Sequence, residues 1–153
     1  MGLDQYLSKK IYVGAKWEHR NVKAEVKIEA DGKEMKVNPK RISYIIEEVG
    51  YWRKANQIHK WFVKNVQGGK DDCEEYYVGI EGLKELLEAC RQVRDNWETG
   101  KELLPTQGGF FFGSTEYDEY YKQDIEDTIE IIEGIIKEEE EGARGDYYYS
   151  SSW

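Results

Sequence analysis

The sequence is short of cysteine, proline and long apolar runs, and each shortage removes a class of protein. Two cysteines in 153 residues, Cys73 and Cys90, cannot build the dense disulfide framework of a small secreted scaffold, and a chain of this length folds without staples. Both are expected to be reduced thiols of a cytoplasmic protein. Two prolines, Pro39 and Pro105, leave no proline-rich linker at which the chain could divide, so a single domain over residues 1–153 is expected. No apolar run approaches the roughly 18 residues that a membrane span requires. The stretch Met1 to Tyr6 has neither the basic nor the apolar region of a secretory signal. Tyr6 also stands where a myristoylation pattern needs Ser or Thr, so no membrane association is expected.

Positive charge is the other shortage. Lys and Arg number 22 against 31 Asp and Glu, a net charge of −9, which argues against general DNA binding and against anionic lipid. The charge is unevenly spread. Residues 40–64 carry a local +4 from six basic and two acidic side chains, whereas residues 115–141 carry a local −10. A small anionic ligand near the basic segment is compatible with that distribution.

Hydrophobic residues make up 39% and charged residues 35%, a globular composition. Leu3 to Val13 suits a strand. Val22 to Ala30 alternates apolar and charged residues, and Asp31-Gly32 followed by Met35 and Val37 predicts a hairpin. Asn38-Pro39 predicts a helix start, with Ile42, Ile45, Ile46 and Val49 turned inward. A second helix is predicted over Tyr51–Val66, a strand at Tyr76–Val78 and a helix over Ile80–Trp97. A last helix, capped by Ser114 or Thr115, should bury Tyr117, Tyr121, Ile125, Ile129, Ile132 and Ile136. Residues 138–153 suit a solvated or edge-strand tail. The expected fold class is α+β: helices packed on a small antiparallel sheet that includes the hairpin.

Three segments carry chemistry. In and just after Trp52–Phe62, Trp52, Asn56 and His59 share a helical face, with Arg53, Gln57, Lys60 and Lys64 on the adjoining stripe. Rings for stacking, hydrogen-bonding groups and cations are what a nucleotide-like ligand needs. The same spacing also suits an amphipathic helix with a solvated basic face. The loop Gly108-Gly109-Phe110-Phe111-Phe112-Gly113-Ser114-Thr115 could offer backbone N–H groups to phosphate. It lacks both the Gly-Lys-Ser/Thr ending and the βαβ setting of the common phosphate loops, and its glycines equally suit the packing of three phenylalanines. Asp71-Asp72-Cys73-Glu74-Glu75 has no metal-ligand spacing and suits a charged turn. Cys73 would act as a nucleophile only with His59 beside it.

These stretches resemble a family of small bacteriophage proteins. The resemblance is carried by the Met-Gly-Leu-Asp start, Tyr51-Trp-Arg-Lys-Ala-Asn-Gln-Ile-His-Lys-Trp-Phe-Val63, Asp71-Asp-Cys73 with Tyr76-Tyr-Val78, Leu103-Leu-Pro-Thr106 and Gly109-Phe-Phe-Phe-Gly-Ser-Thr-Glu-Tyr-Asp118. It covers most of Tyr51 to Ile132. Some members are labelled phosphoglycerate kinase, an enzyme of two large α/β lobes, for which this chain has neither the length nor the repeated strand–helix units. The resemblance implies an accessory protein in the cytoplasm of a host cell, and small phage proteins of that kind include sponges for nucleotide immune signals.

The expected function is therefore sequestration of a small, anionic, nucleotide-derived ligand. The expected binding residues are Trp52, Arg53, Asn56, His59, Lys60, Gly109, Phe111, Phe112, Gly113, Ser114, Thr115 and Asp118. No catalytic residue, metal or cofactor is assigned. One alternative is a small nucleotide-processing hydrolase or transferase using His59 with Asp72, Cys73 or Asp118. Another is an inhibitor that binds a host protein through Tyr147–Tyr149 and Trp153, or through the acidic last helix. The sequence leaves a homo-oligomer open.

Overall fold

Gln5, Leu7 and Lys9 alternate with Asp4, Tyr6 and Ser8, and this period of two makes Asp4–Tyr12 a strand, β1, with Gln5, Leu7 and Lys9 buried. The computed structural model describes residues 2–14, 19 and 25–153. Ile28–Ala30 (β2) and Lys33–Met35 (β3) form a hairpin, Tyr44–Arg53 is β4, and Asn56–Asn65 is the first helix, α1. Tyr76–Val78 (β5), Ile80–Asp95 (α2), the short turn of helix Gly100–Leu103 (α3), Glu119–Glu140 (α4) and Asp146–Ser152 (β6) complete the order. Four strands make an antiparallel sheet in the order β4-β1-β6-β5. The fold is α+β, as the pattern of predicted helices and strands implies, and no described helix is long and apolar enough to cross a membrane.

Several boundaries differ from the sequence reading. The hairpin is present, but β2 and β3 form a two-stranded sheet of their own with every residue exposed, and do not join the main sheet. The start of the expected hairpin, at residues 22–24, lies outside the described residues. The helix expected after Asn38-Pro39 is a single 3-10 turn, Pro39–Arg41, followed by β4. Ile42, Ile45, Ile46 and Val49 have helical spacing, yet the segment is rich in β-branched and aromatic residues, which fit a pleated surface better. A bulge decides the pattern: Leu7 pairs with Gly50 and Ser8 with Glu48, leaving Val49 unpaired. On the helix side of the sheet the sequence parity thus switches from Ile45 and Glu47 to Gly50 and Trp52, which disguises the period of two. Ile45 and Ile46 are exposed rather than inward.

The helices cover one face of the sheet. Leu7, Trp52, Tyr147 and Tyr149 from the strands join Phe62 of α1, Leu83, Leu86 and Cys90 of α2, and Ile125, Ile129 and Ile132 of α4 in one core. Phe62 stacks flat on Tyr149 at 3.9 Å between ring centres. Burial pushes the Cys90 thiol up to about 12, so it is inert packing rather than a reactive group. Asp146–Ser152 is neither a loose tail nor an edge strand, because β6 is bonded to β1 on one side and to β5 on the other. The opposite face of the sheet carries tyrosines instead of helices. Pairing register sets Tyr6 beside Tyr51, Tyr12 beside Tyr44 and Tyr77 beside Tyr148, with ring centres 5.3–5.8 Å apart.

Candidate functional site

Arg53 ends β4, and Lys54 turns the chain into α1 with a left-handed backbone, φ +59°. Gly113, at φ +81°, lies against Lys54: a Cβ there would stand 3.1 Å from the lysine Cβ. This close approach is open only to glycine, and it brings the Phe-rich loop onto the start of α1. Asn56 then holds the loop. Its Nδ2 donates to the carbonyls of Phe112 (2.9 Å) and Ser114 (2.8 Å), and its Oδ1 accepts from the Gln107 N–H at 2.9 Å.

Where the start of α1, the loop and the start of α4 meet, they enclose a cavity of about 280 Å³. The β4–α1 turn lines it with Arg53 and Lys54, the loop and the start of α4 with Glu116, Asp118 and Asp124, and Asn56, Gln57, Thr106, Gly113 and Ser114 supply polar lining. Tyr120, 82% exposed, stands at the rim with Tyr121 below. Arg53 makes a long surface contact to Asp4, 3.5 Å, and its side chain stays mostly exposed. The Asp124 carboxyl is raised from 3.8 to about 6, chiefly by burial, with the carboxylates of Asp127 and Asp118 adding to the rise and the hydrogen bond from Gln57 opposing it. Gln57 Nε2 reaches both Asp124 Oδ2 and the Tyr121 carbonyl at 3.3 Å. The arrangement can neutralise an anion on one wall and accept hydrogen bonds from hydroxyl or amino groups on the other.

Of the expected binding residues, Arg53, Asn56, Gly113, Ser114 and Asp118 line this cavity. The rest are placed otherwise. Trp52 is core, 3% exposed, its indole N–H bonded to Thr128 Oγ1 at 2.8 Å. His59 is fully buried, with Tyr149 Oη 2.8 Å from Nδ1 and Asp71 Oδ2 3.0 Å from Nε2, the latter without an aligned hydrogen bond. Phe112 packs edge-on against His59 and Trp153. Phe111 is half-buried against the 95% exposed Phe110. Gly109 and Thr115 are exposed; Gly109 O accepts from Phe112 N, and Thr115 O from the Thr106 hydroxyl. Lys60 lines a neighbouring cavity.

The loop does not cap the last helix. That helix begins at Glu119, and Asp118 is its cap, its carboxylate accepting from Tyr121 N at 3.1 Å. A carboxylate already occupies the helix's positive end, so phosphate is not favoured there. The acidic turn is also dispersed: Asp71 faces His59 and Trp153, Asp72 accepts from the Tyr76 hydroxyl, and Glu75 pairs with Lys10. The Tyr76 bond holds the Asp72 carboxyl below its ordinary range. Cys73 is exposed in a left-handed turn.

Sequence reading missed Lys54, Gln57, Thr106, Glu116, Tyr120, Tyr121 and Asp124. A signal was present for Asp124, which follows Tyr121 by three residues and precedes Thr128 by four. A charged residue therefore stands on the flank of the helix's buried stripe. No known protein family, curated protein or solved structure matches the chain.

Two outcomes follow from this geometry. Asn56→Ala strips the loop's carbonyls and the Gln107 N–H of their partner and should cost about 2–4 kcal/mol in urea unfolding. Asn56→Asp keeps the acceptor but turns an oxygen on two carbonyls, so it should be no better at neutral pH. The Asp124 carboxyl is raised in the folded state, so its neutral form favours folding. That contribution is complete below about pH 4 and is lost as pH rises through about 6. Asp124→Asn should stabilise the protein at pH 7.5 by on the order of 1–2 kcal/mol, allowing for partial exposure, and should flatten stability between pH 4 and 6. Unfolding curves at pH 4.5 and 7.5 measure both effects.

Proposed function

We propose that the protein binds and holds a small phosphorylated, nucleotide-derived ligand without turning it over, as a bacteriophage accessory protein that withdraws such a signal from its host. The observation that carries this reading is the two-sided cavity. Arg53 and Lys54 stand on one wall, and the acceptors Asp118 and Asp124 with the Gln57 amide stand on the other. Phosphate suits the first wall, ribose hydroxyls or a base amino group suit the second, and Tyr120 offers a ring at the rim. A volume near 280 Å³ lies at the small end of ligand pockets, about 300–1,000 Å³. Holding rather than turnover is favoured by the position of His59, the natural proton carrier, which is enclosed between Tyr149 and Asp71 and does not line the cavity.

Arg53→Ala should weaken a bound nucleotide by about 1.5–3 kcal/mol, the range of a charge-assisted contact, with the melting temperature almost unchanged because the guanidinium is exposed. Calorimetric titration with nucleoside mono- and diphosphates measures the first and a thermal melt the second. Ligand released by heating should be chemically intact by mass spectrometry; recovery of degraded ligand would favour a hydrolase or transferase.

A second reading, inhibition of a host protein, is favoured by the tyrosine face. The expected contact residues Tyr147 and Tyr149 are buried, so they cannot serve. Tyr44, Tyr51 and Tyr77 are 44–60% exposed on the uncovered side of the sheet, and tyrosine gives large amphipathic contact area at low entropy cost. If a host protein docks there, Tyr44→Ser with Tyr77→Ser should abolish its capture while leaving nucleotide binding intact. Capture that survives this variant rules the face out.

A further inference from the structure

A second cavity, of about 410 Å³, lies on the outer side of α1. It shares a wall with the first. Gln57 lines both, and the adjacent residues Pro105 and Thr106 line one each. The partition is held by two contacts: Gln57 Nε2 donates to the Tyr121 carbonyl, and the Tyr121 hydroxyl donates to the Leu104 carbonyl at 2.8 Å. Across it the chemistry repeats. The first cavity has a cation pair, Arg53 and Lys54, with a ring at Tyr120; the second has Lys60 and Lys64 with the indole of Trp61.

The lysines of the second cavity are one helical turn apart, and among the described residues neither is in an ion pair. Two unpaired ammonium groups beside a half-buried indole make a concave site that favours a ring bearing negative charge. Glu102 on the facing wall can accept a hydrogen bond from that ring's substituents, the part Asp118 and Asp124 play in the first cavity. Each cavity alone fits a unit about the size of one nucleotide. Together they reach the middle of the usual range of about 300–1,000 Å³ for ligand pockets.

We propose that the two cavities are lobes of one bipartite site for a dinucleotide, one ring with its phosphate in each lobe and the linkage crossing the partition at Gln57 and Thr106. The inference rests on the nucleotide reading given above. It adds that the ligand has two such units. Linking them makes the second contact intramolecular, so the linked compound should bind far more tightly than its half.

Calorimetric titration of the full chain with AMP, GMP, CMP and UMP, and with the linear 3′,5′-dinucleotides pApA, pGpG, pCpC and pUpU, tests this. At least one dinucleotide should bind with one-to-one stoichiometry and at least tenfold tighter than its mononucleotide. Lys60→Gln with Lys64→Gln should erase that advantage, bringing the dinucleotide to within about twofold of its mononucleotide. Leu103→Trp, which fills the second lobe from the opposite wall, should do the same without touching a charge. Dinucleotides no tighter than mononucleotides, or an advantage that survives both variants, would overturn the bipartite site and leave the single-cavity reading standing. If none of the eight compounds binds, both fall.

Discussion

Asn56 is the side chain through which the loop and the helices acquire a fixed relation. An amide has two donor hydrogens and one acceptor oxygen, and here both ends are engaged by backbone of the Gln107–Ser114 segment. The residue is 1% exposed and its bond to the Phe112 carbonyl is buried, so that carbonyl would otherwise lack both water and a partner, at a cost of about 1–3 kcal/mol. Loss of the clamp would release Gly113 from Lys54, take Ser114 from the cavity wall and withdraw Phe112 from His59 and Trp153. The cavity and the anchoring of the C-terminal segment therefore share one origin.

His59 illustrates how a chemically versatile residue can be committed to structure. Its Nδ1 lies 2.8 Å from the Tyr149 hydroxyl and its Nε2 3.0 Å from the Asp71 carboxylate, so both ring nitrogens face polar partners inside the core. Burial raises the Tyr149 hydroxyl well above its ordinary range, so it remains a donor. The chain of contacts runs from the Asp71 turn through α1 to β6, whose Tyr149 also stacks on Phe62. Trp153 then closes onto Asp71 at 3.1 Å. These contacts draw the last residues into the interior of the sheet.

What the sequence made legible is what local periodicity controls. β1, α2 and the buried stripe of α4 follow from spacing, since each has one face in the core and an uninterrupted period. β4 was hidden by its bulge, and β6 by composition: Tyr-Tyr-Tyr-Ser-Ser-Ser looks like tail, yet only alternate tyrosines need burial, and its neighbours β1 and β5 lie far away in the chain. The α1 and loop segments were legible as a pair rich in polar and aromatic groups, and they do meet. Which side chains would face the cavity was not legible, because Lys54's left-handed turn starts α1 at Asn56 rather than Tyr51. That later start keeps Trp52 on the strand and sends it to the core, while Arg53 ends at the cavity wall.

The opposed charges of the cavity explain how a chain of net charge −9 can offer a place to an anion. The acidic surplus lies mostly along α4, and only the first turns of that helix reach the cavity, where Asp118 is tied up as a cap and burial raises the Asp124 carboxyl to about 6. Arg53 and Lys54 reach the same cavity from the end of β4 and the turn into α1. A simple anion gains from the basic wall but loses against Glu116 and Asp118. An anion that also presents donors gains on both sides, because each carboxylate then has a hydrogen to accept. The acidic wall thus discriminates among anions, disfavouring bare phosphate and selecting a phosphate joined to a donor-bearing sugar or base.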